Sequence, residues 1–91
     1  IGGLRMIDRK EADDKIIAVL HEDEVYGRWT DFERDCPAGL KDRLQHYFLT
    51  YKDIPGAEKR AVRIDATYGA DEAREVIRLS QEDYRESYSQ T

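Results

Sequence analysis

Apolar and polar positions divide this chain into short alternating runs and two longer helical stripes. Leu4 and Met6 are separated by Arg5 close to the N-terminus, an alternation that predicts a strand near residues 4–7. A charged stretch, Asp8-Arg9-Lys10-Glu11-Ala12-Asp13-Asp14-Lys15, turns the chain. The apolar run Ile16-Ile17-Ala18-Val19-Leu20 then predicts a second strand near 15–20. From His21 to Cys36, Tyr26, Trp29 and Phe32 stand among charges with Gly27 as a breaker, the pattern of an irregular excursion whose aromatics pack onto neighbouring structure. Pro37 suits the first turn of a helix, and Leu40, Leu44, Tyr47, Phe48 and Tyr51 then fall on one face, which predicts a helix near 37–52. Asp53-Ile54-Pro55-Gly56 ends it, because proline cannot continue a helix and glycine accepts the left-handed turn. Val62 and Ile64 alternate with Arg63, giving a strand near 60–65, and Tyr68-Gly69 turns the chain again. A last helix is expected near 70–87, with Asp71 and Glu72 in its first turn and Ala73, Val76, Ile77, Ser80 and Tyr84 along one face.

The order β, β, loop, α, β, α contains no internal repeat and no long linker, so the chain is a single α+β segment. Three short strands cannot close a barrel, and a sheet of that size leaves edges that intact proteins pair or cover. Composition points the same way. Ninety-one residues that are 40% hydrophobic and 38% charged, with a mean hydropathy of -0.83, leave little apolar material for a core. The first residue is Ile rather than Met, and the chain opens directly in Gly-Gly and apolar residues. A piece of a longer protein is the expected explanation.

Charge narrows the function classes. A net charge of -5 lacks the basic face that general binding to nucleic acid or to an anionic membrane requires, so neither is an expected partner. One cysteine, Cys36, excludes an internal disulfide and a multi-cysteine zinc site, and fits a reducing compartment such as the cytoplasm. The apolar runs fall short of a membrane-spanning helix and the N-terminus has no signal-peptide pattern.

The candidate chemistry is concentrated in two places. Carboxylates are hard ligands suited to Mg²⁺, and a neighbouring ammonium can hold the anion such a metal binds. Asp8 and Asp13, five apart across a turn, could face one cation, with Glu11 and Asp14 as competitors; equally, the stretch with Arg9, Lys10 and Lys15 could be a solvated hairpin tip. Tyr51-Lys52 could present a phenol and an ammonium to phosphate, or could merely extend the apolar stripe and complement a helix C-terminus. His46 has no partner at metal spacing on its helix and His21 has no nucleophile beside it. Cys36 precedes a helix start without a visible triad, and carries no assigned role. A P-loop, a dinucleotide glycine loop and a serine elbow are missing from these 91 residues.

Gly3-Leu4-Arg5-Met6-Ile7-Asp8, then Asp13-Asp14-Lys15 with the Ile16 to Val19 strand, then His46-Tyr47-Phe48 and Tyr51-Lys52-Asp53, together resemble the C-terminal half of the family I soluble inorganic pyrophosphatases. The resemblance implies a partial OB-like, mostly antiparallel β-barrel with two amphipathic helices packed outside. It implies Mg²⁺ as cofactor, with Asp8 and Asp13 as metal ligands, and pyrophosphate or phosphate held by Lys15, Tyr51 and Lys52. It implies hydrolysis of pyrophosphate to two phosphates by a metal-activated water, and a homo-oligomer. The family's Asp-Gly-Asp-Pro-x-Asp motif has no counterpart here, so the water-activating carboxylates are expected upstream and the isolated chain is expected to be inactive. Glu11 stands where a glycine is usual, Leu20 where a proline is frequent, and Gly56-Ala57-Glu58-Lys59-Arg60 where Gly-Lys-Trp is common. The alternative of another class is a truncated, non-catalytic relative working as an assembly or binding module.

Overall fold

The computed structural model describes residues 1–51 and 62–89. Its sheet is organised around one strand, β1 (Gly2–Asp8), which pairs antiparallel with three others: β2 (Glu11–Ala12), β3 (Lys15–Ile17) and β4 (Val62–Tyr68). Ile7 pairs with Ala12 and Asp8 with Glu11, and the same register continues where Leu4 pairs with Lys15 and Gly2 with Ile17. β2 and β3 are therefore one interrupted arm along one edge of β1, and β4 takes the other edge. The expected second strand is shorter than its apolar run, because Ala18 to Leu20 leave the sheet and Leu20 is exposed. The expected third strand continues three residues further, to Tyr68. Its start near residue 60 and the Asp53–Gly56 loop lie outside the described residues.

The hairpin between β1 and β2 turns on Arg9 and Lys10, which have φ of 51° and 69°. Two consecutive positive φ values match the right-handed twist of a hairpin, but side chains other than Gly, Asn or Asp take them at a cost. In β4 an irregularity opposite Arg5 and Met6 leaves Asp65 as an extra residue, with Ala66 paired to Arg5 and Ile64 to Met6. Alternation is reset there. Val62 and Ile64 share the face of Leu4 and Met6, whereas Tyr68, opposite Gly3, is sent to the other face.

On the first face Leu4, Met6, Phe32 and Cys36 form the buried core, with Trp29, Leu40, Leu44, Phe48, Val62 and Ile64 packed around it. Phe32 and Cys36 come from the excursion expected to be irregular, which instead holds a one-turn helix, α1 (Phe32–Asp35), and buries Phe32 completely. The Asp31 carboxylate caps α1 through the Arg34 N–H at 3.0 Å and also accepts the Ala70 N–H at 2.7 Å, where α3 begins. Both bonds hold its pKa below the ordinary range. Gly69 leaves room for this, since a Cβ there would sit 2.3 Å from Asp31 Oδ1.

The helix expected at 37–52 is α2 (Ala38–Thr50), with Pro37 and Tyr51 as its caps. Its stripe leans on the core through Leu40, Leu44 and Phe48 without any residue becoming fully buried. The last helix, α3 (Ala70–Ser89), starts on the opposite face of the sheet, where Glu72 meets Arg5. Of its expected apolar face only Ala73 is buried and Val76 half-buried; Ile77 and Tyr84 face solvent. The molecule is thus α+β, an open antiparallel sheet that forms part of an OB-like fold, with one main helix on each face. Among the described residues no helix is long and apolar enough to cross a membrane.

Candidate functional site

Register decides which charges of the hairpin point together. Directly paired residues of antiparallel strands share a face, and faces alternate along each strand. Leu4, Met6 and Asp8 lie on the core face of β1, so their counterparts on the arm, Lys15, Asp13 and Glu11, lie there too. Asp8, Asp13 and Lys15 form a polar end to an otherwise apolar face. Asp13 sits in the interruption between β2 and β3, where its N–H still bonds to the Met6 carbonyl at 2.9 Å. Glu11 is exposed at the rim.

The Lys15 ammonium donates to Asp13 Oδ1 at 3.0 Å and forms an ion pair with Oδ2 at 2.9 Å. That hydrogen bond is the main reason its pKa lies above the ordinary 10.5; burial opposes it, and the fields of Asp13, Tyr51 and Asp8 add to it. Tyr51 and Asp8 are therefore within electrostatic reach of the same ammonium. The Oδ1 atom of Asp8 is closed off from solvent. At the end of α2, Tyr51 stacks on Tyr47 with ring centres 5.2 Å apart and meets Phe48 edge-on at 5.8 Å. Four of the five expected site residues, from two parts of the sequence, are thereby brought to one region. The fifth, Lys52, lies outside the described residues.

Asp14, a competitor of Asp13 by sequence, points the other way. It is paired with Arg5 on the outer face, accepts the Tyr68 phenol at 3.0 Å, and lies 3.9 Å from Arg5 Nε. Arg5 also bonds Glu72 at 2.6 Å and covers the Tyr68 ring at 5.0 Å. The Tyr68 ring lies over Gly3, where a Cβ would meet it at 2.6 Å. Burial first, and then the bond to Asp14, push the Tyr68 phenol from 10.0 up to about 12. Sequence reasoning missed this group, because it ended the strand near 65 and placed Tyr68 in the following turn, whereas β4 runs on to Tyr68. Cys36 is buried in the core and burial raises its pKa, the reverse of an activated thiolate. His21 and His46 are exposed.

Mg²⁺ typically takes one or two protein carboxylates and fills its octahedron with water and substrate phosphate. Asp8 and Asp13 fit such a partial donor set. Among the described residues no group of three or more Asp, Glu, His or Cys converges to make a complete one.

Known proteins resemble the chain along nearly all of its length. It is 52% identical over 88 residues to the inorganic pyrophosphatase of Chlamydia muridarum, covering 92% of this chain and 42% of that protein. It is 36% identical to soluble inorganic pyrophosphatase 2 of Chlamydomonas reinhardtii, covering 97% of this chain and 44% of that protein. A third relative, the inorganic pyrophosphatase of Picrophilus torridus, is 31% identical over 93% of this chain and 46% of its own length. The chain thus spans less than half the length of these relatives. The inorganic pyrophosphatase family pattern matches residues 1–85, and the chain belongs to the inorganic pyrophosphatase family.

Proposed function

We propose that the whole protein hydrolyses inorganic pyrophosphate to two phosphates with Mg²⁺, and that these 91 residues are the C-terminal half of a family I enzyme carrying about half of the site. Asp8 and Asp13 would hold Mg²⁺, and Lys15, Tyr51 and Lys52 would hold phosphate. The observation that carries this reading is the single hairpin register that collects Asp8, Asp13 and Lys15 on one face, with Tyr51 in electrostatic reach of Lys15. When bound, Mg²⁺ lowers the pKa of the attacking water and offsets charge on the phosphoryl groups. The chain's own residues do the positioning. Asp13 holds the ammonium of Lys15 on the face that carries Asp8, and on this reading Lys15 and Tyr51 would both donate to a phosphate bound there. Carboxylates that activate the water come, on this reading, from outside the 91 residues. On this reading the whole protein works in the cytoplasm as a homo-oligomer, with neither nucleic acid nor membrane as partner.

The test is phosphate release from pyrophosphate by the full-length protein over a Mg²⁺ titration. Asp8→Asn, Asp13→Asn and Lys15→Ala should each lower kcat by about 100-fold or more. The rim variant Glu11→Gln should stay within about twofold of the parent, as expected for an exposed charge that only neighbours the site. Full activity in folded Asp13→Asn and Lys15→Ala would sink the assignment.

A further inference from the structure

We propose that Tyr68 is a positioning residue, which acts through Asp14 to hold Asp13 and Lys15 on the metal-facing side of the sheet. The inference rests on the reading of Asp13 and Lys15 given above. These two residues flank Asp14 at the interruption of the arm between β2 and β3, where Asp13 and Asp14 lie outside both strands although the Asp13 N–H still bonds the Met6 carbonyl. Alternation ties the three together: with Asp14 fixed on the outer face, its two neighbours must point inward, and a slip of one residue would turn both away.

The outer face supplies the fixing. Tyr68 is 3% exposed and its ring is seated over Gly3, so its hydroxyl has little freedom when it donates to Asp14 at 3.0 Å. Arg5 closes the group, covering the Tyr68 ring and reaching Glu72 at the start of α3. The irregularity at Asp65 is what delivers Tyr68 to this face. One hydroxyl therefore connects β4 to the backbone that carries a proposed metal ligand and a proposed phosphate ligand, and Arg5 joins the same group to α3 through Glu72. Groups hydrogen-bonded directly to metal ligands typically change metal affinity or activity by about 10- to 100-fold when removed; Tyr68 acts one residue further out, through Asp14, so the low end of that range is expected.

The experiment uses the full-length protein and Mn²⁺ as probe, with binding measured by calorimetry alongside kcat, KM and Tm. Tyr68→Phe keeps the ring and removes the hydroxyl; Asp14→Ala removes the acceptor; Asp14→Asn keeps an acceptor oxygen. Tyr68→Phe and Asp14→Ala should each weaken Mn²⁺ binding by about tenfold and lower kcat, and the double variant should be no worse than Asp14→Ala alone. Asp14→Asn should recover most of the loss. A folded Tyr68→Phe protein with parental Mn²⁺ affinity, kcat and KM overturns the proposal, including when only its Tm has fallen. If Asp14→Ala does not fold, Tyr68→Phe decides alone. Should Asp13→Asn and Lys15→Ala be inactive while Tyr68→Phe is unchanged, only the positioning role fails; should they remain active, the site itself is misassigned.

Discussion

At the scale of single residues, the opposite fates of Asp13 and Asp14 turn on one count along a strand. Both are acidic, adjacent and within two residues of the same lysine, so composition cannot separate them. The pairing of Leu4 with Lys15 and of Ile7 with Ala12 puts Asp13 with the core face and Asp14 with Tyr68. That count could have been made from sequence had the turn been visible, but Arg9-Lys10 lacks the Asn-Gly or Asp-Gly signature that marks a two-residue hairpin. Tyr68 was hidden because the expected strand stopped near 65 and left it in a turn, and even within the longer strand an extra residue in β4 inverts its face. Its buried phenol also gives the molecule an alkaline limit. With the folded pKa raised from 10.0 to about 12, the contribution of this group is complete below pH 10. Between 10 and about 12 the unfolded chain loses the proton that the folded one keeps, so stability falls as pH rises. The loss should approach about 2–3 kcal/mol at the top of that window. Urea midpoints measured across it for the parent and for Tyr68→Phe should converge as the parent weakens; parallel pH curves would show that the phenol is not so placed.

The elements themselves were more legible than their ends. Both main helices follow from apolar stripes bounded by Pro37 and by the acidic first turn of α3, and they form within a few residues of the expected limits. Strand ends were harder to read, because Ala18 to Leu20 are apolar without being in the sheet. α1 was invisible: four residues carry no periodicity, and only the Asp31 cap and the burial of Phe32 define it. The hairpin is the element whose sequence fits its backbone worst. Arg9 and Lys10 hold positive φ where a β-carbon is penalised, and among the described residues both side chains are exposed. The double variant Arg9→Asn, Lys10→Gly should therefore stabilise the protein by about 1 kcal/mol, with the pairing of Asp8 and Glu11 unchanged. Denaturant unfolding gives the energy. An equal or lower midpoint would mean that the turn relaxes to another geometry or that its charges matter more than its φ.

For the molecule as a whole, the small core and the half-built site have the same origin in this reading. Among the described residues only Leu4, Met6, Phe32, Cys36, Tyr68 and Ala73 are buried apolar side chains, while Leu20 and Val25 are 79% and 69% exposed. Each fully buried large side chain contributes about 1.5–3 kcal/mol, so three of them, Phe32, Leu4 and Met6, carry much of what this segment can offer against the entropy of ordering it. The site is short in the same proportion. The two proposed metal ligands and the proposed phosphate ligands are a fraction of what a Mg²⁺-dependent phosphoryl hydrolase would need, since further carboxylates must orient and activate the water. A chain spanning 42% of a relative such as the Chlamydia muridarum enzyme would be expected to fall short in both respects at once. The isolated 91 residues should therefore release phosphate from pyrophosphate no faster than the buffer with Mg²⁺ does, under conditions where the full-length protein turns over. Circular dichroism on the same sample would show how much helix the segment keeps alone. Helical but inactive material would fit a half-site whose missing carboxylates lie elsewhere in the protein. Metal-dependent turnover by the isolated chain would mean that Asp8, Asp13 and Lys15, alone or through self-association, already complete a working centre, and the division of the site argued above would be wrong.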